Sequence, residues 1–478
     1  MKYKLVLHTV GILLLVLSGL MLLPLLVSLY YGEAVFHILL SAGISAAFGA
    51  LLFSIKPKDT RLMAREGFAI VALSWIMLSA VGALPFFLSG EIPNYIDAFF
   101  ETVSGFTTTG SSILNNVEAL SRGSLFWRSF SHWIGGMGVL LFMMAILPMS
   151  GEYQMHIMRA ELPGPTVGKL VPRVRQTAKI LYIIYICMTL VQVLLLRFGG
   201  MSWYESLLHA FATAGTGGFS TRSASIGGFD SVYVEMVCSV FMLLFGINFN
   251  VYFFILVGNF RTAFKNEELL WYIGIIAAST LLIALGISNM YGGIAQGLRH
   301  SFFYVTSLIS TTGFGSVDYT TWPQWCQFIL ILIMFSGACA GSTGGGMKVS
   351  RLVVLSKNAA AELREMAAPR HVQSVRLDGK RVSNPTIKAM HTYFTCYMFI
   401  LIICGALVSI DGNSFSVSFS AALTCLSNVG PGLEAIGPCG NFNVFSDFSK
   451  LILSFAMLIG RLEIFPMLVL FSPSAWKN

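Results

Sequence analysis

The sequence predicts an all-α polytopic membrane protein: two N-terminal transmembrane helices, then four pseudo-symmetric transmembrane–pore helix/loop–transmembrane units around one pore. Three observations carry this expectation. Hydrophobic residues make up 55% of the 478 residues and charged residues 11%, with a mean hydropathy of +0.75; a soluble domain usually carries about 25% charge. The apolar residues fall in runs long enough for a bilayer, which takes roughly 20 residues per helix. The basic residues are confined almost entirely to alternate loops. This composition excludes a soluble enzyme, a disordered chain and a fibrous repeat.

The first apolar run follows Lys4 and reaches Tyr30. It is too long for the apolar part of a signal peptide and reads as a membrane helix. A second run, Val35 to Ile55, completes a two-helix segment over residues 1–55. Lys56, Lys58, Arg61 and Arg65 then mark a basic loop. Beyond it the chain repeats one pattern over 67–150, 177–262, 269–362 and 387–472. Each unit has a long apolar helix, a shorter stretch with a Gly/Thr-rich end, and a closing apolar helix. The shorter stretches hold ten to twelve helix-compatible residues, roughly 15–18 Å, which is half a bilayer. Such a helix enters and returns without crossing. Its irregular end is tolerated at membrane depth only where protein or water surrounds it.

Charge orients these units. Twenty-two of the 30 Lys and Arg residues fall on the side of the 56–65 loop, six fall on the other, and Lys348 and Arg461 lie within apolar segments. The bias places both termini in the cytoplasm. It also explains the net charge of +8 without a nucleic-acid partner, for no Lys/Arg run resembles a nucleic-acid-binding arm. The opposite side carries twelve acids against six bases, a field expected to concentrate cations. The eight cysteines form no C-x-x-C and the eight histidines no H-E-x-x-H. No nucleophile, base and metal ligands converge in the pattern, so an enzyme is not expected.

Four loops around one axis can present rings of backbone carbonyls to a dehydrated K⁺ ion, provided the backbone alternates between left- and right-handed conformations, which glycine permits. The short helices would point their partly negative C-terminal ends at the same place. In the third unit the glycines between Gly337 and Gly346 break the closing helix, each costing roughly 1 kcal/mol relative to Ala. The break reads as a movable constriction below the loops. It lacks the G-K-[S/T] of a phosphate-binding loop, because Met347 intervenes before Lys348. A mid-membrane arginine costs at least about 2.5–3.5 kcal/mol, so Arg461 should face the pore or a partner such as Glu463. Lys348 either belongs to the constriction or snorkels to the cytoplasmic surface. The 351–388 linker, with eight basic residues, is a candidate docking surface.

The motifs Thr107–Gly110 (TTTG), Thr216–Phe219 (TGGF), Thr311–Phe314 (TTGF) and Asn428–Pro431 (NVGP) resemble the four filter loops of the Trk/Ktr/HKT superfamily of K⁺ transporters. Gly341–Lys348 (GSTGGGMK) resembles that family's interrupted third-unit helix, and Ile459–Glu463 (IGRLE) its Arg-bearing last helix. His132–Gly138 and Gly217–Thr221 are Trk-like as well. The resemblance covers essentially the whole chain, and the two extra N-terminal helices favour the TrkH/TrkG branch. It implies a K⁺ uptake protein of the bacterial inner membrane, a homodimer, and a cytoplasmic TrkA-like regulatory ring that carries the nucleotide, NAD or ATP/ADP; no covalently bound cofactor is expected on this chain. It assigns the filter to Thr108, Thr109 and Gly110; Thr216, Gly217 and Gly218; Thr311, Thr312 and Gly313; and Asn428, Val429 and Gly430. It assigns the gate to Gly341, Ser342, Thr343, Gly344, Gly345, Gly346, Lys348 and Arg461. A secondary transporter coupling K⁺ to H⁺ or Na⁺ is the alternative. Such carriers commonly use inverted repeats, whereas these four units run in one orientation.

Overall fold

The computed structural model describes residues 2–57, 59, 64–138, 174–368, 374–471 and 473–476. Two helices open the chain, α1 (Tyr3–Leu20) and α2 (Leu22–Tyr31), which together form one apolar span. It is followed by α3 (Phe36–Phe53), which packs along α1. The chain then runs through α4 (Ala64–Gly82), α5 (Leu84–Leu88), α6 (Tyr95–Phe106) and α7 (Arg122–Gly136). The second repeat holds α8 (Val174–Phe198), α9 (Trp203–Ala214), α10 (Val232–Phe245), α11 (Phe249–Leu256) and the short α12 (Phe260–Phe264). The third holds α13 (Glu267–Ile287), α14 (Ile294–Ile309), α15 (Gln324–Ser336) and α16 (Val349–Ala367). A two-stranded hairpin, β1 (Arg376–Leu377) with β2 (Lys380–Arg381), leads into the fourth. That repeat comprises α17 (Asn384–Val408), α18 (Phe415–Ser427), α19 (Asp447–Arg461) and α20 (Phe465–Phe471), and α21 (Pro473–Trp476) ends the described chain.

Among the described residues the protein is thus all-α apart from one small hairpin. The four short helices α6, α9, α14 and α18 are 12, 12, 16 and 13 residues long, so α14, and by one residue α18, exceed the expected ten to twelve. Three of them are started by side chains that satisfy otherwise unpaired first-turn N–H groups. Asn94 accepts from Ile96 N, Ser414 from Val417 N, and Ser202 forms a capping box with Glu205. The closing helices α7, α10 and α19 start in the same way, at Ser121, Ser231 and Ser446. These starts define the upper face of the molecule.

Among the described residues, six helices are long and apolar enough to cross a membrane, or seven when α10 and α11 are one span. The repeat pattern implies more crossings; in the second, third and fourth units the closing helices break, and in the first the closing helix runs beyond the described residues. A bend of 88° separates α10 from α11, and an interruption at Leu462–Ile464, with Glu463 and Ile464 at φ 60° and 66°, separates α19 from α20. The third unit is therefore not alone in having a broken closing helix, although among the described breaks in the second, third and fourth units its own is the glycine-rich one. The continuation of α7 expected to residue 148 lies outside the described residues, as do Lys58, Arg61, Arg370, Lys477 and most of the basic 159–179 loop. Exposed apolar side chains such as Leu26, Leu51, Leu190, Leu281 and Phe399 cover the outer surface, as contact with lipid requires.

Candidate ion-conduction site

The four loops share one local geometry. The first residue of each triad, Thr108, Thr216, Thr311 and Asn428, has φ of 55°, 55°, 61° and 55°, and the last, Gly110, Gly218, Gly313 and Gly430, has φ of 84°, 74°, 79° and 106°. The middle residues are not left-handed, so the backbone alternates as a carbonyl-lined loop requires. Each middle N–H closes the end of its short helix. Thr109 donates to Ser104 O at 2.9 Å, Gly217 to Ala212 O at 2.8 Å, Thr312 to Ser307 O at 2.8 Å and Val429 to Thr424 O at 2.9 Å. This is the helix-ending bond that normally accompanies a left-handed glycine. Here a non-glycine residue occupies the left-handed position four times, at a cost of roughly 1–2 kcal/mol each. Strain of this kind persists where the surroundings over-determine it, commonly at functional sites.

The loops close a ring in chain order. A Cβ added to Gly110 would lie 2.1 Å from Gly217 O, one on Gly218 2.0 Å from Thr312 O, one on Gly313 2.0 Å from Val429 O, and one on Gly430 2.7 Å from Thr109 O. Each glycine therefore abuts the middle carbonyl of the next loop, and no side chain fits there. All four glycines line a single cavity of about 120 Å³ on the upper side. All twelve triad residues come together in this ring, with Asn428 Nδ2 also donating to Thr109 Oγ1 and Met457 O, both at 2.9 Å.

The upper rim is held by ion pairs. Arg128 Nε donates to Glu101 Oε1 at 2.6 Å, with the two side chains 4% and 0% exposed. Glu101 also accepts from Ile113 N at 3.0 Å, and Arg128 donates to Ser220 O at 3.0 Å, joining the first two loops. Arg222 pairs with Glu205, Arg299 with Glu235 and Lys450 with Asp97. Four of the six bases on this side are thus matched by local acids, which leaves the acidic excess itself unchanged. Glu118 bridges to Ser223, whose hydrogen bonds outweigh burial and hold that carboxyl below its ordinary pKa.

Directly beneath the ring lies the break between α15 and α16, residues 337–348. A Cβ on Gly345 would lie 2.5 Å from Ser427 O, and one on Gly344 2.7 Å from Ser310 O. Gly345 N donates to Thr311 Oγ1 at 2.6 Å, and Thr343 Oγ1 to Phe245 O at 3.2 Å. Gly341 O accepts from Phe249 N at 3.0 Å. Ser342 Oγ donates to Cys339 O at 2.7 Å, while Gly346, at φ 77°, packs on Gly337. Arg461 donates to Thr343 O at 2.8 Å and to the carbonyls of Gly135 and Gly136 at 2.5 and 2.8 Å, so one guanidinium ties the segment to α7.

Two readings that the sequence leaves open take definite form here. Lys348 does not snorkel: it is 2% exposed, and its ammonium donates to Gly344 O within the segment itself. Glu463 pairs with Arg351, because the turn after α19 swings its carboxylate towards the first turn of α16. A second cavity, lined by Gly341, Gly344, Gly346, Lys348 and Arg461, opens below the segment and shares no lining residue with the upper one.

Other contributors are invisible in the motif pattern. Glu268, 4% exposed, accepts from Ala340 N at 2.7 Å and Ser350 N at 3.1 Å, stapling both sides of the break to α13. In sequence it reads as an ordinary first-turn acid. His132 lies between two loops: Nδ1 donates to Gly105 O at 2.8 Å, and Nε2 accepts from Phe219 N at 3.3 Å. Its motif was recognisable, but not this role.

A multi-pass helical membrane protein with four re-entrant loops closed into one ring is the class that these features define. The TrkH family model, described as cation transport protein, matches residues 35–291 and 288–478, and the chain belongs to that family. It is 36% identical over 486 residues to the Trk system potassium uptake protein TrkH of Escherichia coli K12, covering 100% of both chains. It is 32% identical to TrkG, also a Trk system potassium uptake protein, of the same organism, covering 99% of each. The crystal structure of the potassium transporter TrkH from Vibrio parahaemolyticus superposes with a TM-score of 0.89 at 32% identity, covering 100% of both chains.

Proposed function

We propose that this chain is a K⁺-selective uptake pore in which the ring is the selectivity filter and the 337–348 segment is the gate. The observation that carries the reading is the fourfold alternation of left-handed residues in a closed ring with one cavity above it. Such loops offer the carbonyls of Thr108, Thr109, Thr216, Gly217, Thr311, Thr312, Asn428 and Val429 in tiers, replacing the water that K⁺ sheds. The C-terminal ends of α6, α9, α14 and α18 add partial negative charge at the same point. The repeat units, with bounds near 67–150, 177–262, 269–362 and 387–472, each supply one quarter of this ring.

The segment with Gly341, Ser342, Thr343, Gly344, Gly345 and Gly346 blocks the path between the two cavities. Its glycines let it change position at small cost. Arg461 acts as both tether and electrostatic barrier, and Lys348 holds the segment's own turn closed. The full assembly in this reading is a homodimer in the bacterial inner membrane, with both termini cytoplasmic. A cytoplasmic TrkA-like ring binding NAD or ATP/ADP moves the segment from below. The names of the relatives, all Trk system potassium uptake proteins or transporters, support K⁺ as the cargo.

The test is the reversal potential of proteoliposomes under K⁺, Na⁺ and pH gradients. A conductive pore follows the K⁺ gradient and ignores the pH gradient. A potential that shifts with the proton or Na⁺ gradient at fixed K⁺ would replace the pore by a coupled carrier.

A further inference from the structure

On the lower face, beside the bend between α10 and α11, lies a cavity of about 460 Å³ lined by Asn248, Arg261, Lys265, Asn266, Asp378 and Lys380, among others. Three cations converge on it: Arg261 from α12, Lys265 from the residue that ends α12, and Lys380 from β2. Among the described residues none of the three enters an ion pair. The one acid in the lining is already committed: Asp378 accepts from Glu267 N at 2.7 Å and from Asn266 Nδ2 at 3.2 Å, completing the start of α13. Arg261, within α12, and Lys265, the residue that ends it, bring two like charges to one concavity, which is unfavourable without a counter-ion. The excess of basic residues on this side accounts for cations scattered over a surface. It does not account for three of them lining one concave site.

The surroundings narrow the class of anion. Leu256, Val257, Phe260 and Phe264 are 70%, 65%, 56% and 61% exposed. This apolar edge beside a cationic cavity is what a helix lying at a membrane surface presents. Basic pockets between helices on the cytoplasmic side suit phosphate head groups, and the volume falls in the range of small-molecule sites, about 300–1,000 Å³. The cavity is joined to the break in α15–α16 through Asn248, beside which Gly341 lies. Asn248, in its lining, caps α11 by accepting from Asn250 N at 2.9 Å, and the next residue donates from Phe249 N to Gly341 O at 3.0 Å.

We propose that this cavity binds a phosphate ester, with an anionic phospholipid head group as the nearest source, and that occupancy biases the 337–348 segment through Asn248 and Phe249. The coupling half rests on the gate reading above; the binding half does not.

Native mass spectrometry of the full-length chain with phosphatidylglycerol, and calorimetry with glycerol phosphate, test the binding. Saturable binding of at least one is expected. Retention of the lipid alone assigns the source to the membrane, and retention of both assigns it to the phosphate group. Arg261→Gln with Lys380→Gln should weaken binding about tenfold per cation removed. Arg261→Lys with Lys380→Arg, equally monodisperse on gel filtration, should retain it. Absence of saturable binding of both probes, or wild-type affinity in the glutamine variant, would overturn the site. Rb⁺ flux in liposomes with and without phosphatidylglycerol tests the coupling separately. Flux that is indifferent to a lipid shown to bind would overturn the link to the segment while leaving the site.

Discussion

The Gly345 amide donates to the Thr311 hydroxyl at 2.6 Å, so the broken segment of the third unit hangs from the first residue of that unit's own loop. Movement of the segment out of the path must break this bond. Thr311→Val keeps the side chain's shape and removes the acceptor. A buried donor left unsatisfied costs about 1–3 kcal/mol, charged here to the closed position, so basal Rb⁺ flux should rise about fivefold or more while the K⁺/Na⁺ permeability ratio holds. Unaltered basal flux in proteoliposomes would show that the bond does not hold the segment shut.

Gly110→Ser addresses the ring. The added Cβ would fall 2.1 Å from Gly217 O at a position with φ 84°, so one quarter of the ring must shift. The K⁺/Na⁺ permeability ratio should drop about tenfold, equivalent to ~1.4 kcal/mol of lost discrimination. Bi-ionic reversal potentials measure it; an unchanged ratio in a well-folded variant removes Gly110 from the filter.

Arg461 combines a charge with three carbonyl contacts, and two substitutions separate them. Arg461→Ala loses both and should raise inward flux, most at low external K⁺. Arg461→Lys keeps the charge but cannot span Thr343, Gly135 and Gly136 with one ammonium. If the tether dominates, lysine behaves like alanine; if the barrier dominates, lysine behaves like the wild type. Wild-type flux and salt dependence in both variants would leave Arg461 with a purely structural role.

Glu101→Gln tests the buried pair on the upper rim. Breaking such a pair by removing one charge typically costs about 3–5 kcal/mol, since Arg128 stays buried beside Ser220 O. The melting temperature in detergent should fall by several degrees, on the order expected for such a loss in a large domain. A melting curve superimposable on the wild type would mean that Arg128 is satisfied by other means.

The architecture was legible because a bilayer imposes its period on sequence: long apolar runs, short runs ending in Thr and Gly, and one-sided basic loops are each forced by an energetic cost. The four glycines of the ring were legible for a similar reason, since glycine takes left-handed backbone cheaply, whereas the left-handed Thr108, Thr216, Thr311 and Asn428 were marked only by the family resemblance. What stayed hidden depends on direction rather than composition. Asn248 and Gly246 mark the 88° bend only in retrospect, because an apolar run reads the same whether straight or folded. Glu268 passes for a dipole-complementing acid until the fold brings Ala340 and Ser350 against it. The acidic excess counted on the upper side says nothing about which acids face Arg128, Arg222, Arg299 and Lys450. Lys348 could be read either way, since the burial that decides it is set by the turn around Gly344 and Gly346.

The most direct test of the account removes the segment itself. Deleting residues 341–345 takes away the contacts to Thr311, Phe249 and Arg461 while leaving all four loops in place. The measurement is Rb⁺ uptake into proteoliposomes holding the purified chain alone. The account predicts high uptake that needs no cytoplasmic partner and still prefers K⁺ over Na⁺. A correctly folded deletion protein with uptake no higher than the wild type would contradict it and reduce the break to a packing feature.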